Sequence, residues 1–498
     1  MDENQMLLSC LATLGVLWLA VRRRQPRKGN LDAPLFRWTK KDPFTVRDLI
    51  NGGVCIVGRV GSGKTSSSGR LVAQAIVNYR NSGGLICAAK PGEDVALWRK
   101  IFAQAGRTKD LLVFEPEGKL RFNFLAEALR HGGHTREITK CITTIGETLR
   151  SADHRRGENS DFWEREQERM IYNAVGPVKL ATGTVNAPQL QEFIVTAAEN
   201  PSQLQDPSWK NKFHCQCMEA ACQARKSKFD THDFQLASDY WFGEVPAMSD
   251  RTRSSITTGV LGILHTFNTG LVRELVSTTT NVGPQDLLRR KWILINMPPA
   301  AYGDMGNFVN AGWKYLVQKS ILRRHAKPKD PINVIWCDEA AQFTNSMDPY
   351  FVAQCRSHLA CLVFLCQSLH SFHAALGASE GRAQAQALLA NFGHRIFHAL
   401  GDMETAMWAS GLVGQRLETL IGGSMQPAGD IWDEIMSYGQ FTSTFNTQCQ
   451  PILQTNEFMN GLRTGGRKAG YFCDGIVVRS GEPFSNGENW LRMAFSQR

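Results

Sequence analysis

The stretch Gly58-Arg59-Val60-Gly61-Ser62-Gly63-Lys64-Thr65 fits the pattern Gly-x-x-x-x-Gly-Lys-Ser/Thr, the phosphate-binding P-loop. The apolar run Val54-Cys55-Ile56-Val57 precedes it, and the residues after it predict a helix to about Tyr79. That strand–loop–helix context is what the motif requires. Glycines let the backbone wrap a triphosphate with its N–H groups turned inward, at the positive end of a helix. Lys64 would then reach the β- and γ-phosphates, and the Thr65 hydroxyl would bind Mg2+. The motif announces a nucleotide, with ATP and Mg2+ as the expected cofactors, but not the use made of its energy.

A P-loop ATPase also needs a carboxylate beside the Mg2+, at the end of a neighbouring buried strand. Ile332-Asn333-Val334-Ile335-Trp336-Cys337-Asp338-Glu339 supplies one, a mostly apolar run closing on adjacent acids. Asp338 suits the holding of Mg2+, and Glu339 is the candidate base that polarises the attacking water. About 270 residues separate the two motifs, far too many for one structureless loop in a compact domain. Further core strands and an inserted subdomain are therefore expected between them.

The 498 residues can hold a large core and two or three domains. A hydrophobic content of 43% and a charged content of 20% describe an ordinary globular protein and exclude a disordered or collagen-like chain. The net charge of +10 favours an acidic partner, nucleic acid or anionic lipid. Thirteen scattered cysteines, several in apolar runs, fit buried thiols in a reducing compartment. His214, Cys215, Cys217 and Cys222 match no closed four-ligand zinc spacing and read as helix thiols.

Met6 to Val21 is uncharged and runs into Arg22-Arg23-Arg24. As a helix it would span about 24 Å, short of a hydrocarbon core of about 30 Å, a gap that snorkelling and thinning can close. The acidic leader, Asp2 and Glu3, argues against a cleaved signal. The basic flank places the remainder of the chain in the cytoplasm, so the expectation is a single-pass inner-membrane anchor, or a soluble cytoplasmic protein if the helix does not span.

Residues 22–45 read as a basic linker. Gly84–Ala89 and Leu111–Phe114 read as buried strands flanking a helix at Val95–Gly106, which with the P-loop strand predicts a mainly parallel sheet covered on both faces. From about 130 to 275 the pattern turns helical, with a helix start at Ser160-Asp161-Phe162-Trp163. The sheet resumes at Trp292–Ile295 and continues through the run before Asp338, Cys361–Cys366, Arg395–Leu400 and a last pair near Tyr471–Arg479. The expected division is an anchor at 1–28, a nucleotide-binding domain in two parts (29–135 and 281–498), and an all-α insert at 136–280. Lys210, Lys212, Arg225, Lys226, Lys228 and Arg289-Arg290-Lys291 could line a nucleic-acid path, though charge runs are commonly solvated faces.

Beyond Asp338-Glu339 come Arg356 and a strand ending in Gln367. With Lys90-Pro91-Gly92-Glu93, Val113-Phe114-Glu115-Pro116, Arg121-Phe122-Asn123, Asp161-Phe162-Trp163, Ala390-Asn391-Phe392-Gly393-His394-Arg395-Ile396 and Asp402-Met403-Glu404-Thr405-Ala406, their order resembles the coupling-protein ATPases of type IV secretion and conjugation. These TraD/TraG-type proteins sit within the RecA-like hexameric DNA pumps. The resemblance covers nearly everything from about residue 45 to the end. It implies a RecA-like P-loop ATPase domain interrupted by an all-α subdomain, in a membrane-attached ring that moves DNA, or relaxase–DNA substrate, toward a secretion channel. It further implies Arg356 as an arginine finger between subunits, Gln367 as a γ-phosphate sensor, and the relaxosome and channel proteins as partners. Two features depart from the family: one short apolar segment in place of two membrane helices, and Ala88-Ala89 where an aspartate is often found.

Overall fold

The computed structural model describes residues 29–130, 134–150, 160–376, 381–425 and 441–498, so the apolar stretch 6–21 lies outside the described residues. No helix among the described residues is long and apolar enough to cross a membrane.

The first described elements are a hairpin, β1 (Pro34–Arg37) and β2 (Pro43–Thr45), and a helix, Val46–Ile50, whose cap Thr45 exchanges bonds with Asp48. This corrects the reading of 22–45 as linker from residue 34 onward. Trp38 and Phe44 are buried, with ring centroids 5.5 Å apart, and their apolar area outweighs the basic character of the surrounding sequence.

Next come β3 (Val54–Val57), β4 (Ser82–Cys87), β5 (Leu111–Phe114), β6 (Trp292–Ile295), β7 (Ile332–Cys337), β8 (Ala360–Cys366) and β9 (His394–Phe397). A ribbon comes after them, β10 (Gln415–Met425) and β11 (Phe441–Pro451), and then β12 (Phe472–Arg479) and β13 (Trp490–Ser496). Nine of these strands form one sheet in the order β13-β12-β9-β3-β8-β7-β4-β6-β5. From β9 to β5 the neighbours are parallel, and β12 and β13 close the edge antiparallel.

Alternate residues of each central strand face different cores. Ile56, Ile86, Val334, Trp336 and Leu365 join one, while Val57, Cys87, Ile335, Cys337 and Cys366 join the other. Both faces are dry, so strands with a period of two read as unbroken apolar runs. The cysteines in them are free, buried thiols.

Between β5 and β6 the described chain is helical, including Thr135–Arg150, Ser160–Thr182, Ala187–Val195, Phe213–Gln223, Lys228–Asp239, Asp250–Asn268 and Gly270–Val276. Local chemistry starts several of them: Asn186 accepts from the Gln189 N–H, with Pro188 in the first turn, and Ser227 forms a capping box with Asp230. Ile138, Cys141, Ile142 and Ile145 pack with Met170, Ala174 and Val178 and with Ile256, Val260 and Leu264, each set one stripe of a helix. His214 is buried here, its Nδ1 bonded to the Phe193 carbonyl at 2.9 Å.

Candidate nucleotide site

Strand order builds the site. The carboxyl ends of β9, β3, β8, β7 and β4 stand side by side, and His398, the P-loop, Gln367, Asp338-Glu339 and Lys90 leave those ends in turn. A crevice outside the carboxyl ends of parallel strands is where such sheets bind ligands.

The loop is anchored before it turns. Gly58 N–H donates to the Cys366 carbonyl (3.1 Å) and Arg59 N–H to that of Ala399 (2.9 Å). Gly61 and Gly63 take φ of 75° and 86°, and a Cβ at Gly63 would stand 2.2 Å from Cys473 Sγ. Arg59, Val60 and Gly61 form the exposed tip, whereas Ser62 is buried. A wide turn, Thr65–Gly69, then leads into the helix Arg70–Asn78.

The two acids after β7 are each met by an ammonium group. Lys64 Nζ lies 3.0 Å from Glu339 Oε1, with side-chain exposures of 7% and 16%. Lys90 Nζ lies 3.4 Å from Asp338 Oδ2. Thr65 Oγ1 donates to Asp338 Oδ2 (3.2 Å), and the Glu339 N–H to Asp338 Oδ1 (3.0 Å). Gln367 Nε2 donates to Glu339 Oε2 (3.0 Å). Glu339 holds a left-handed backbone, φ 47°, a conformation costly for a non-glycine residue and common at functional sites. A hydroxyl and a carboxylate oxygen converging in this way suit a hard, oxygen-seeking dication such as Mg2+, with Thr65 and Asp338 as the holders.

Arg356 stands apart. It is exposed in the turn before β8, whereas Gln367 comes after that strand. Seven strand residues put the two roughly 20 Å apart, at opposite ends of the central strand β8.

Sequence reasoning missed Asp94, Lys90 and His398. Asp94 is buried and accepts from the N–H groups of Ala89 (2.8 Å) and Lys90 (2.9 Å). An acid from the first turn of the helix Glu93–Gln104 thus reaches the end of β4, where Ala88-Ala89 carries none. Burial, and then the charge of Asp338, raise its pKa to about 6. Burial opposes the charge on Lys90, yet Asp338, Asp94 and Glu339 hold its pKa above the usual lysine value. Burial pushes His398 down to about 4, so the ring is neutral; its Nδ1–H donates to the Asp474 carbonyl (2.7 Å) and its Nε2 accepts from Ser68 (2.7 Å). The end of the sheet also clasps the loop: Gln497 Nε2 donates to Ser66 Oγ (2.9 Å), and Arg70 donates to the Gln497 carbonyl (2.9 Å). The signal for Asp94 was the sequence Gly92-Glu93-Asp94, a helix start with acids in its first turn.

Of the basic residues, Arg290 and Lys291 are used internally, the first donating to Asn81 Oδ1 (2.9 Å) and the second pairing with Asp110 (3.1 Å). Lys226 Nζ lies over the Phe234 ring at 5.0 Å.

Residues 333–460 match the family model described as the TraM recognition site of TraD and TraG. No curated protein sequence matches the chain. Among solved structures, the bacterial conjugative coupling protein TrwBdeltaN70, in an unbound monoclinic form, is similar at 13% identity over 95% of this chain and 91% of that one, with a TM-score of 0.61. The plasmid coupling protein TrwB in complex with ADP and Mg2+ is similar at 13% identity, 95% and 92% coverage and a TM-score of 0.59. The same protein with the non-hydrolysable GTP analogue GDPNP gives 14%, 95%, 93% and 0.58. At these identities the likeness establishes the fold, which over nearly the whole chain is that of TrwB, with its RecA-like mixed sheet. Residues 333–460 are thus similar to the TraM recognition site of TraD and TraG, within a chain whose fold is that of the coupling protein TrwB.

Proposed function

We propose that the protein is an ATP-driven DNA translocase of conjugative transfer, a coupling protein that delivers DNA or relaxase–DNA substrate to a type IV secretion channel. The observation that carries this reading is the meeting of Lys64, Thr65, Asp338, Glu339 and Gln367 in one crevice, drawn from three neighbouring strand ends. Thr65 and Asp338 would hold Mg2+, which would neutralise phosphate charge. Lys64 leaves Glu339 for the β- and γ-phosphates, freeing the carboxylate to orient water, and Gln367 reports the γ-phosphate to Glu339. Arg356, exposed at the amino end of β8 and so at the opposite end of the strands from the crevice, serves the site of a neighbouring copy, which suits a ring and makes no sense within one chain. Residues 29–135 and 281–498 form the motor and 136–280 the insert, with residues 6–21 attaching it to the inner membrane and the ATPase domain in the cytoplasm. The nucleotide and Mg2+ carried by the TrwB structures support the cofactor assignment.

The test is ATP turnover with single- and double-stranded DNA, measured alongside oligomeric state in protein starting at Gly29. Turnover stimulated by DNA, dependent on assembly and lost in Lys64→Ala and Arg356→Ala is expected. DNA-independent turnover in an assembled ring overturns the reading.

A second reading, a membrane-bound nucleotide-switched receptor that recruits protein substrates, is favoured by one observation, the recognition-site description of the family matched at 333–460. Capture of a relaxase in the absence of any DNA binding would select it.

A further inference from the structure

Three residues beyond Gln367, outside the nucleotide crevice, two imidazoles and a carboxylate converge. His370 and His373 lie one turn apart on the helix Leu369–Leu376, and Glu404 opens the helix Met403–Val413. One ligand atom from each of the three lies within 4.8 Å of the others. His370 Nε2 is 3.4 Å from Glu404 Oε2 and 3.6 Å from Asp402 Oδ1, so a second carboxylate stands within reach.

The backbone beneath this cluster is fixed. Leu369 N–H donates to Thr405 Oγ1 (3.1 Å), and Thr405 is fully buried. Asp402 caps the second helix by accepting from Thr405 N–H at 2.8 Å. The two ligand-bearing turns are therefore tied by a part-buried hydrogen bond between the residues adjoining His370 and Glu404. Only side-chain rotation is needed to close the cluster, because bonds of about 2.1 Å in a tetrahedron set ligand atoms about 3.4 Å apart.

We propose that His370, His373 and Glu404, with Asp402 as an additional oxygen ligand, bind a divalent transition-metal ion of the Zn2+ class. Two imidazoles select such a borderline ion over Mg2+ or Ca2+, which seek oxygen. Arg382, 2.8 Å from Glu404 Oε1, competes for the carboxylate and is released when the metal binds. The bound ion ties the helix after Gln367 to the helix Met403–Val413. The proposal is independent of the DNA-translocation reading.

The test is a titration of chelator-stripped full chain with CoCl2, read by visible absorption and by equilibrium dialysis, and repeated on variants. One equivalent of Co2+ is expected, displaced by Zn2+ and indifferent to millimolar Mg2+. The His370→Ala/His373→Ala variant should lose at least roughly tenfold in affinity, whereas Asp338→Asn in the nucleotide crevice should keep it. Arg382→Ala should bind more tightly, an outcome that a merely structural pair of histidines does not give. His370 and Arg382 are exposed and His373 is half-buried, and matched melting of all the metal-free proteins, Asp338→Asn included, checks folding. The proposal is overturned by no binding at about 100 μM Co2+, by binding undiminished in the double variant, by loss in Asp338→Asn alone, or by a thiolate charge-transfer band marking a cysteine site.

Discussion

Glu339→Gln is predicted to tighten nucleotide binding while abolishing turnover. Lys64 must leave Glu339, 3.0 Å away, before it can serve phosphates, and both side chains are largely shielded from water. At an effective dielectric of about 20, two charges at that separation attract by about 5–6 kcal/mol. Desolvation of both ions offsets most of this. What the amide forfeits is the difference between a charge-assisted and a neutral hydrogen bond, about 1–2 kcal/mol. With about 1.4 kcal/mol per decade, the affinity for nucleotide should rise roughly five- to thirtyfold. Removing a carboxylate that faces the γ-phosphate acts in the same direction. The assay is a titration with a fluorescent non-hydrolysable ATP analogue in Mg2+, which separates affinity from trapping of unhydrolysed ATP. Gln367→Ala leaves the Lys64–Glu339 contact standing and should show no gain. An unchanged or weaker affinity in Glu339→Gln would mean that the pair does not restrain Lys64, and would refute the reasoning.

The buried Lys314–Asp348 pair, 2.6 Å and fully enclosed, is joined by Gln318 and the Asn345 N–H. Lys314→Met should cost about 3–5 kcal/mol in urea unfolding, most of it recovered by adding Asp348→Leu. Asp94, raised to about 6, binds its proton more tightly folded than unfolded, so its contribution is complete below the ordinary value of 3.8 and disappears as pH rises through about 6. In nucleotide-free protein this amounts to up to about 3 kcal/mol across that window; the difference between wild type and Asp94→Asn in denaturation midpoint against pH should show it. Gly63→Ala meets Cys473 Sγ, and its φ of 86° disfavours any side chain. It should abolish nucleotide binding, and a second change, Cys473→Ala, should restore only part, since strain of about 1–2 kcal/mol persists.

Apolar runs at Leu111–Phe114 and Trp292–Ile295 announced their strands to the residue; Trp292–Ile295 is buried on both faces and needs no polar alternation, whereas Leu111–Phe114 is the edge strand, with only Phe114 fully buried. The ribbon β10–β11 gave no such signal. Its sequence mixes Gln, Glu, Thr and Gly with Leu417, Ile421 and Phe445, whose side chains are exposed. The stretch 34–45 misled because charge and proline mask three aromatic residues that pack on one another.

The local motifs Gly58–Thr65 and Asp338-Glu339, and the helical interval between them, were fixed by residue order alone: loop conformation and helix periodicity are properties of short segments. Which residues meet at the phosphate site was decided by strand order. Placing β4 beside β7 brings Lys90 and Asp94 to Asp338, and placing β9 beside β3 brings His398 to the P-loop helix. Those pairings join segments as far as 330 residues apart. They result from packing nine strands between two cores, which no local pattern encodes.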